Sequence, residues 1–205
     1  RNYHIGLRLR DVAGNLWAEQ DAPLGLYGAY PPALWLPGEL VAEVYGLPLP
    51  LGMPPGDDYR LAVSVYDAKR PAGSPTGEVL GRAELEGLSW RGSSPIPENT
   101  ARLLSPIPAL SIASVNLPAA PRESPAITQG RPFALHVQWI VESAPAADYR
   151  ARWALIDAEG DTAWSAETPL APGSPPTLWE AGAFVEGRLR LNPPAALAPG
   201  AYTLT

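Results

Sequence analysis

Apolar and polar residues alternate along several stretches of this chain. Tyr3, Ile5, Leu7 and Leu9 are interleaved with His4, Gly6, Arg8 and Arg10. Tyr149, Ala151, Trp153 and Leu155 are interleaved with Arg150, Arg152, Ala154 and Ile156. Phe133, Leu135, Val137, Trp139 and Val141 keep the same period, as do Tyr59, Leu61, Val63 and Val65. A period of two sends one set of side chains to the core and the other outward, so each stretch predicts a β-strand. Asp11-x-x-Gly14 suits a type I turn, with Asp first and Gly fourth. A returning strand over 16–20, or 162–166 in the later half, would complete a hairpin. Further strands are expected at 78–86, 110–117 and 131–141. Proline recurs between these stretches and no apolar pattern holds a 3.6-residue period, which predicts very little helix.

Landmarks of the first half return in the second, in the same order. Tyr3, Asp11, Gly14 and Pro23 match Tyr149, Asp157, Gly160 and Pro169, each pair 146 residues apart. Trp35-x-x-Gly38 matches Trp179-x-x-Gly182 and Pro55-Gly56 matches Pro199-Gly200, both at 144. Tyr59 matches Tyr202 at 143. Small insertions account for the drift, and the pattern reads as two copies of one module. The expected fold is all-β: two tandem immunoglobulin- or fibronectin-III-like antiparallel β-sandwich modules, residues 1–107 and 108–205. The stretch 88–108, rich in Ser, Pro and Gly, reads as linker or irregular surface. Both ends of the sequence fall within strand-like patterns, as expected of a segment cut from a longer protein. The copies are unequal: strand-like sequence precedes the second (110–117 and 131–141), whereas the first continues beyond its Tyr59 strand.

The phrase Leu197-Ala198-Pro199-Gly200-Ala201-Tyr202-Thr203-Leu204 resembles the approach to a late strand in fibronectin type III and related sandwiches. That resemblance implies a tyrosine corner, in which the Tyr hydroxyl bonds back to upstream backbone. Pro54-Pro55-Gly56-Asp57-Asp58-Tyr59-Arg60-Leu61 is a longer version. The wider order is also informative: Asp11-x-x-Gly14, Pro23-x-Gly25, Trp35-x-Pro37-Gly38-Glu39, Leu47-Pro48-Leu49-Pro50 and Tyr59-x-Leu61. It resembles the soluble tail modules of bacterial multi-spanning membrane proteins of the glycosyltransferase type, akin to protein mannosyltransferases. The resemblance implies a non-catalytic accessory module, extracytoplasmic, with a spacing or positioning role and a glycan or another envelope protein as partner. It transfers no catalytic residue. The second copy has Ala181-Gly182-Ala183 in place of Pro37-Gly38-Glu39, so any role of Glu39 belongs to the first copy alone.

Composition narrows the chemistry. The 205 residues include 26 Pro and 19 Gly, about 22 %, under the roughly 25–30 % typical of disordered chains. A hydrophobic fraction of 46 % supports a packed core. The absence of Cys excludes disulfides, thiol nucleophiles and cysteine-ligated metal or iron–sulfur sites. A net charge of −6 without a basic block argues against nucleic acid as partner. No apolar run is long enough for a membrane-spanning helix, so no membrane insertion is expected.

No cofactor, metal or catalytic set is expected. Asp57, Asp58, Asp67, Glu84 and Glu86 could supply paired carboxylates for glycoside hydrolysis, but solvated loop acids are the ordinary reading. His4 and His136 occupy the polar sides of strands without a clear Ser or carboxylate partner in the sequence. Asp11, Asp57 and Asp58 lack the spacing of a calcium loop, and Asp is a common turn former. Aromatics are the strongest functional lead. Trp35 and Trp179, matched across copies, are expected to pack a loop on the core, with Trp139 and Trp153 inside it. Trp17 and Trp164 have no assigned place. Tyr27, Tyr30 and Trp90 are the candidate ligand-facing aromatics, suited to stacking on a sugar ring. A carbohydrate-binding module is therefore the rival to a purely spacing role.

Overall fold

The computed structural model describes residues 3–67, 79–117 and 127–205. Among them there is no α-helix; twelve strands are joined by turns and three short 3-10 turns. The chain divides into two compact units. Unit 1 comprises Arg1–Pro50 and Asp57–Ser89, and unit 2 comprises Leu51–Gly56 and Trp90–Thr205. Among the described residues no helix is long and apolar enough to cross a membrane.

Unit 1 is built on one four-stranded antiparallel sheet. Its strands are β1 (Tyr3–Arg10), β2 (Leu16–Pro23), β3 (Gly56–Asp67) and β4 (Val79–Trp90), in the order β2-β1-β3-β4. The alternation read from the sequence sets its faces. Leu7 lies opposite Gln20 and Val63, and Leu9 opposite Ala18 and Leu61. Leu7, Leu9, Ala18 and Ala22 are buried, while Ile5, Val63 and Val65 are half-buried. The other face is polar: Arg8 pairs with Glu19 at 3.5 Å, and the Tyr66 hydroxyl donates to Asp21 at 3.0 Å.

Unit 2 contains two antiparallel sheets that share one core. A five-stranded sheet runs β5-β11-β8-β7-β6, formed by β5 (Ser94–Pro95), β6 (Leu104–Ile107), β7 (Leu110–Asn116), β8 (Phe133–Val141) and β11 (Ala183–Leu191). A three-stranded sheet, β10-β9-β12, joins β9 (Arg150–Ile156), β10 (Thr162–Pro169) and β12 (Thr203–Leu204). Leu135, Val137, Trp139, Val185 and Leu189 of the larger sheet cluster with Trp153 of the smaller one and with Trp179. Trp139 and Trp153 are thus core residues, as expected. Trp164, unassigned from sequence, packs against the same cluster.

Part of the stretch 88–108, expected to be irregular, is strand: β6 pairs with β7, and β5 pairs with β11. Both are short edge strands. Proline is tolerated at such positions because an outward-facing edge residue owes no hydrogen bond to the ladder.

The landmarks of the two hairpins and of their third strands occupy matching local geometry. In the first hairpin Leu9 pairs with Ala18 and Arg10 with Leu16, with a bulge between them. In β9–β10, Leu155 pairs with Trp164 and Ile156 with Thr162, with the same bulge 146 residues later. Both hairpins close identically. Gly14 N–H donates to the Asp11 carbonyl at 2.9 Å, and Gly160 N–H to the Asp157 carbonyl at 3.2 Å. Gly14 and Gly160 have φ of +82° and +89°, the left-handed conformation that a type I turn with a following bulge requires. The third strand matches too: Leu61 lies beside Leu9, and Leu204 beside Leu155. The expected tie of Tyr202 is present, its hydroxyl donating to the Ala198 carbonyl at 2.6 Å.

Candidate functional site

Residues 24–50 form a long loop in unit 1 that carries Tyr27 and Tyr30. It opens at Gly25, whose φ is +91°. A Cβ there would stand 2.0 Å from the Tyr30 carbonyl oxygen, so only glycine fits. The Gly25 carbonyl accepts from Gly28 N–H at 2.8 Å and Tyr30 N–H at 2.9 Å, while Gly25 N–H donates to Glu43 Oε1 at 2.8 Å. Leu26 and Tyr27 both take positive φ, +51° and +56°, which turns the Tyr27 ring outward. A 3-10 turn, Pro32–Leu34, follows, with Pro pre-setting its first residue. The turn at 36–39 then places Pro37 second and Gly38, φ +82°, third, as a type II turn demands.

Two glutamates fasten this loop. Glu39 Oε2 accepts from the Tyr30 hydroxyl at 2.9 Å and from Leu36 N–H at 2.8 Å. That hydrogen bond holds the Tyr30 phenol above its ordinary pKa of 10.0, with smaller contributions from burial and the Glu39 charge. Glu43 accepts from Gly25 N–H and from the Tyr45 hydroxyl. Tyr45 also reaches the Pro23 carbonyl at 3.3 Å. The rings of Tyr27 and Tyr45 tilt against each other with centroids 5.3 Å apart. Tyr27 stays 59 % exposed and so presents most of its ring to solvent. Sequence reasoning missed Tyr45 and Glu43. The available signal was the 41–47 alternation, which puts Val41, Glu43, Tyr45 and Leu47 on one side.

The other candidates fall elsewhere. Trp90 ends β4 and is grouped with unit 2, whereas Tyr27 and Tyr30 belong to unit 1. The Trp90 indole lies over Gly92, where a Cβ would meet its ring at 2.1 Å, and its Nε1 is buried without a partner. Trp179 Nε1–H donates to Ser174 Oγ at 2.8 Å, while Trp35 Nε1–H donates to the Tyr30 carbonyl at 3.0 Å. Both indoles therefore reach back five residues, but Trp179 is 2 % exposed and Trp35 only half-buried. Trp17 is buried and donates to Asp11 Oδ2 at 3.0 Å.

The acids and histidines carry structural contacts. Asp11 is 4 % exposed and accepts from Ala13 N–H, Asn15 N–H, the Asn15 amide and the Trp17 indole, all within 3.0 Å. Its oxygens are committed to turn and core. Asp57 accepts from Ser89 at 2.8 Å, and Glu86 faces Arg60 at 3.5 Å. Glu84 lines an open cavity of about 560 Å³ beside Arg8, Ser64 and Arg82, a mixed-charge recess on the polar face of the unit 1 sheet. His4 leans on Tyr66, centroids 5.8 Å apart. His136 lies 3.5 Å from Glu186, which is bound more closely by Arg188 at 2.7 Å. Burial, helped by Arg188, lowers the His136 pKa from its ordinary value despite the pull of Glu186. Among the described residues no hydroxyl is hydrogen-bonded to either imidazole, and no group of three His, Asp or Glu is placed to hold a metal ion.

A scan against models of known protein families finds no match to this sequence, and a search among curated proteins finds no relative.

Proposed function

We propose that this chain is a non-catalytic interaction module, made of two copies of one β-module and serving as an extracytoplasmic accessory part of a larger envelope protein. The observation that carries the reading is the recurrence in both units of one assembly. A bulged hairpin, its third strand and a proline-led 3-10 turn ending on Trp recur at matching spacing. Chemistry-bearing side chains in it are used to close turns and fasten loops. The envelope location and the spacing role rest on the resemblance to soluble tails of glycosyltransferase-type membrane proteins. Assay of the 205-residue chain against a panel of chromogenic glycosides and esters tests the non-catalytic part: turnover above the buffer rate would overturn it.

A second reading is favoured by one feature, the exposed Tyr27 ring braced by Tyr45 beside Tyr30 and Glu39. A rigid aromatic face flanked by hydrogen-bonding groups suits stacking on a sugar ring. Titration of intrinsic fluorescence with a broad oligosaccharide panel distinguishes the readings. Saturable quenching lost in Tyr27→Ala supports glycan binding, and a flat response across the panel discards it.

A further inference from the structure

Residues 39–47 hold the place in the chain order of unit 1 that β11 holds in unit 2. Both follow a proline-led 3-10 turn, a tryptophan and a four-residue turn containing a glycine of positive φ, Gly38 or Gly182. The spacing of 144 aligns Val41, Glu43, Tyr45 and Leu47 with Val185, Gly187, Leu189 and Leu191. In β11 these four are buried. In unit 1 burial alternates in the same phase: the four are half-buried, while Ala42, Val44 and Gly46 between them are exposed.

The difference lies at the edges. β11 is paired along its length, Phe184 to Leu191 against Ile140 to Phe133 of β8, and Glu186 N–H donates to the Gly52 carbonyl on its opposite edge at 2.8 Å. Among the described residues no backbone–backbone hydrogen bond involves residues 40–50. Apart from the Val44 carbonyl, which accepts from the Tyr27 hydroxyl at 3.4 Å, this strand-like segment presents main-chain donors and acceptors with no partner among the described residues, a template for strand addition. Leu40 is 94 % exposed and Val44 87 %, on the face that Phe184 and Arg188 occupy in β11.

We propose that residues 39–47 are an acceptor strand, and that their occupant is an antiparallel strand of a partner polypeptide with the chemistry of β8, apolar at every second position. The geometry of unit 2 supplies both pattern and direction, because β8 is what covers the corresponding edge there. It also supplies the polarity of the edges. With Glu186 N–H directed at Gly52, the N–H groups of Val185, Gly187 and Leu189 face β8. By correspondence Val41, Glu43 and Tyr45 direct their N–H groups to the accepting edge and Ala42 to the other. This proposal is independent of the location and glycan readings above.

The test uses the 205-residue chain and a synthetic peptide of residues 131–143, which carries β8, with its reversed sequence as control. Hydrogen exchange resolved by NMR should show protection gained at Val41, Glu43 and Tyr45 on adding the peptide, and none at Ala42. Val41→Pro, which removes an accepting-edge donor, should weaken binding by at least about fivefold, the effect of one lost hydrogen bond. Ala42→Pro should bind as the parent does. Near-ultraviolet circular dichroism checks that both variants keep the fold, and the exchange pattern of the parent chain decides alone if either does not. No protection at saturating peptide, equal response to the reversed peptide, or equal protection of Ala42 would overturn the proposal. So would protection that rises with protein concentration without peptide, since the occupant would then be a second copy of this chain.

Discussion

Asp11 and Asp157 close matching turns in different surroundings, and the contrast has a measurable cost. Asp11 is buried and serves four donors, one of them the Trp17 indole. Asp157 accepts from the amides of Glu159 and Asp161 in an exposed turn. Asp11→Ala would strand a buried indole N–H and two amides, at about 3 kcal/mol, whereas Asp157→Ala should cost about 1 kcal/mol. Urea unfolding of the two variants provides the comparison. Tyr66 offers a second test. Burial first, and then the hydrogen bond to Asp21, push its pKa up to about 12. A raised folded-state value stabilises the fold fully below the ordinary pKa of 10.0, and that contribution fades as pH rises through about 12. Absorbance titration at alkaline pH should therefore find one tyrosine ionising near there, and Tyr66→Phe should remove it.

Elements differ in how openly the sequence declares them. The hairpins were legible because each is local: alternating residues, then an Asp-x-x-Gly turn, then a return within ten residues. The phase of β8 was legible for the same reason, its five apolar positions all landing on one face. The short edge strands β5 and β6 were not: Ser94–Pro95 gains strand character only from the distant β11, and Leu104–Ile107 is proline-interrupted and pairs with β7 at only two positions, across a register shift. The 39–47 segment, for which no strand was expected, carries strand alternation but no backbone pairing among the described residues. In the candidate loop, Tyr27 and Tyr30 stood out as aromatics; for Glu43 and Tyr45 the alternation gives only a shared side, and their contacts arise when the chain folds back 18 residues to Gly25. Within β11, Gly187 shows what packing adds. A Cβ there would approach the Leu170 carbonyl oxygen to 2.1 Å, and Trp139 Nε1–H donates to the same oxygen at 3.3 Å. Gly187→Ala should cost about 2–3 kcal/mol through overpacking. Gly81→Ala in β4, with open space at its Cβ, should stay within about 0.5 kcal/mol. Thermal unfolding of both variants tests the pair.

At the scale of the whole molecule the two units bury their strands to different depths. Leu135, Val137, Ile140 and Val141 of β8 are fully buried, and Val185 and Leu191 of β11 are 1 % exposed. In β4 of unit 1, Leu80 and Leu85 are 45 % and 52 % exposed. Local opening follows apolar burial, so amides of β8 and β11 should exchange at least about a hundredfold more slowly than those of β4. Hydrogen exchange read by mass spectrometry on peptides from each strand would measure it. The Gly187–Leu170 approach also bears on whether the halves are interchangeable. Leu170 corresponds to Leu24 and Gly187 to Glu43, so both units join the same two places. One does it by bringing main chain against main chain, the other by reaching across with a carboxylate to Gly25. A chimera that grafts residues 39–47 onto the second half would therefore put a charged side chain where there is room for none. On the proposed reading of two copies of one module, each half is fitted to its own neighbours.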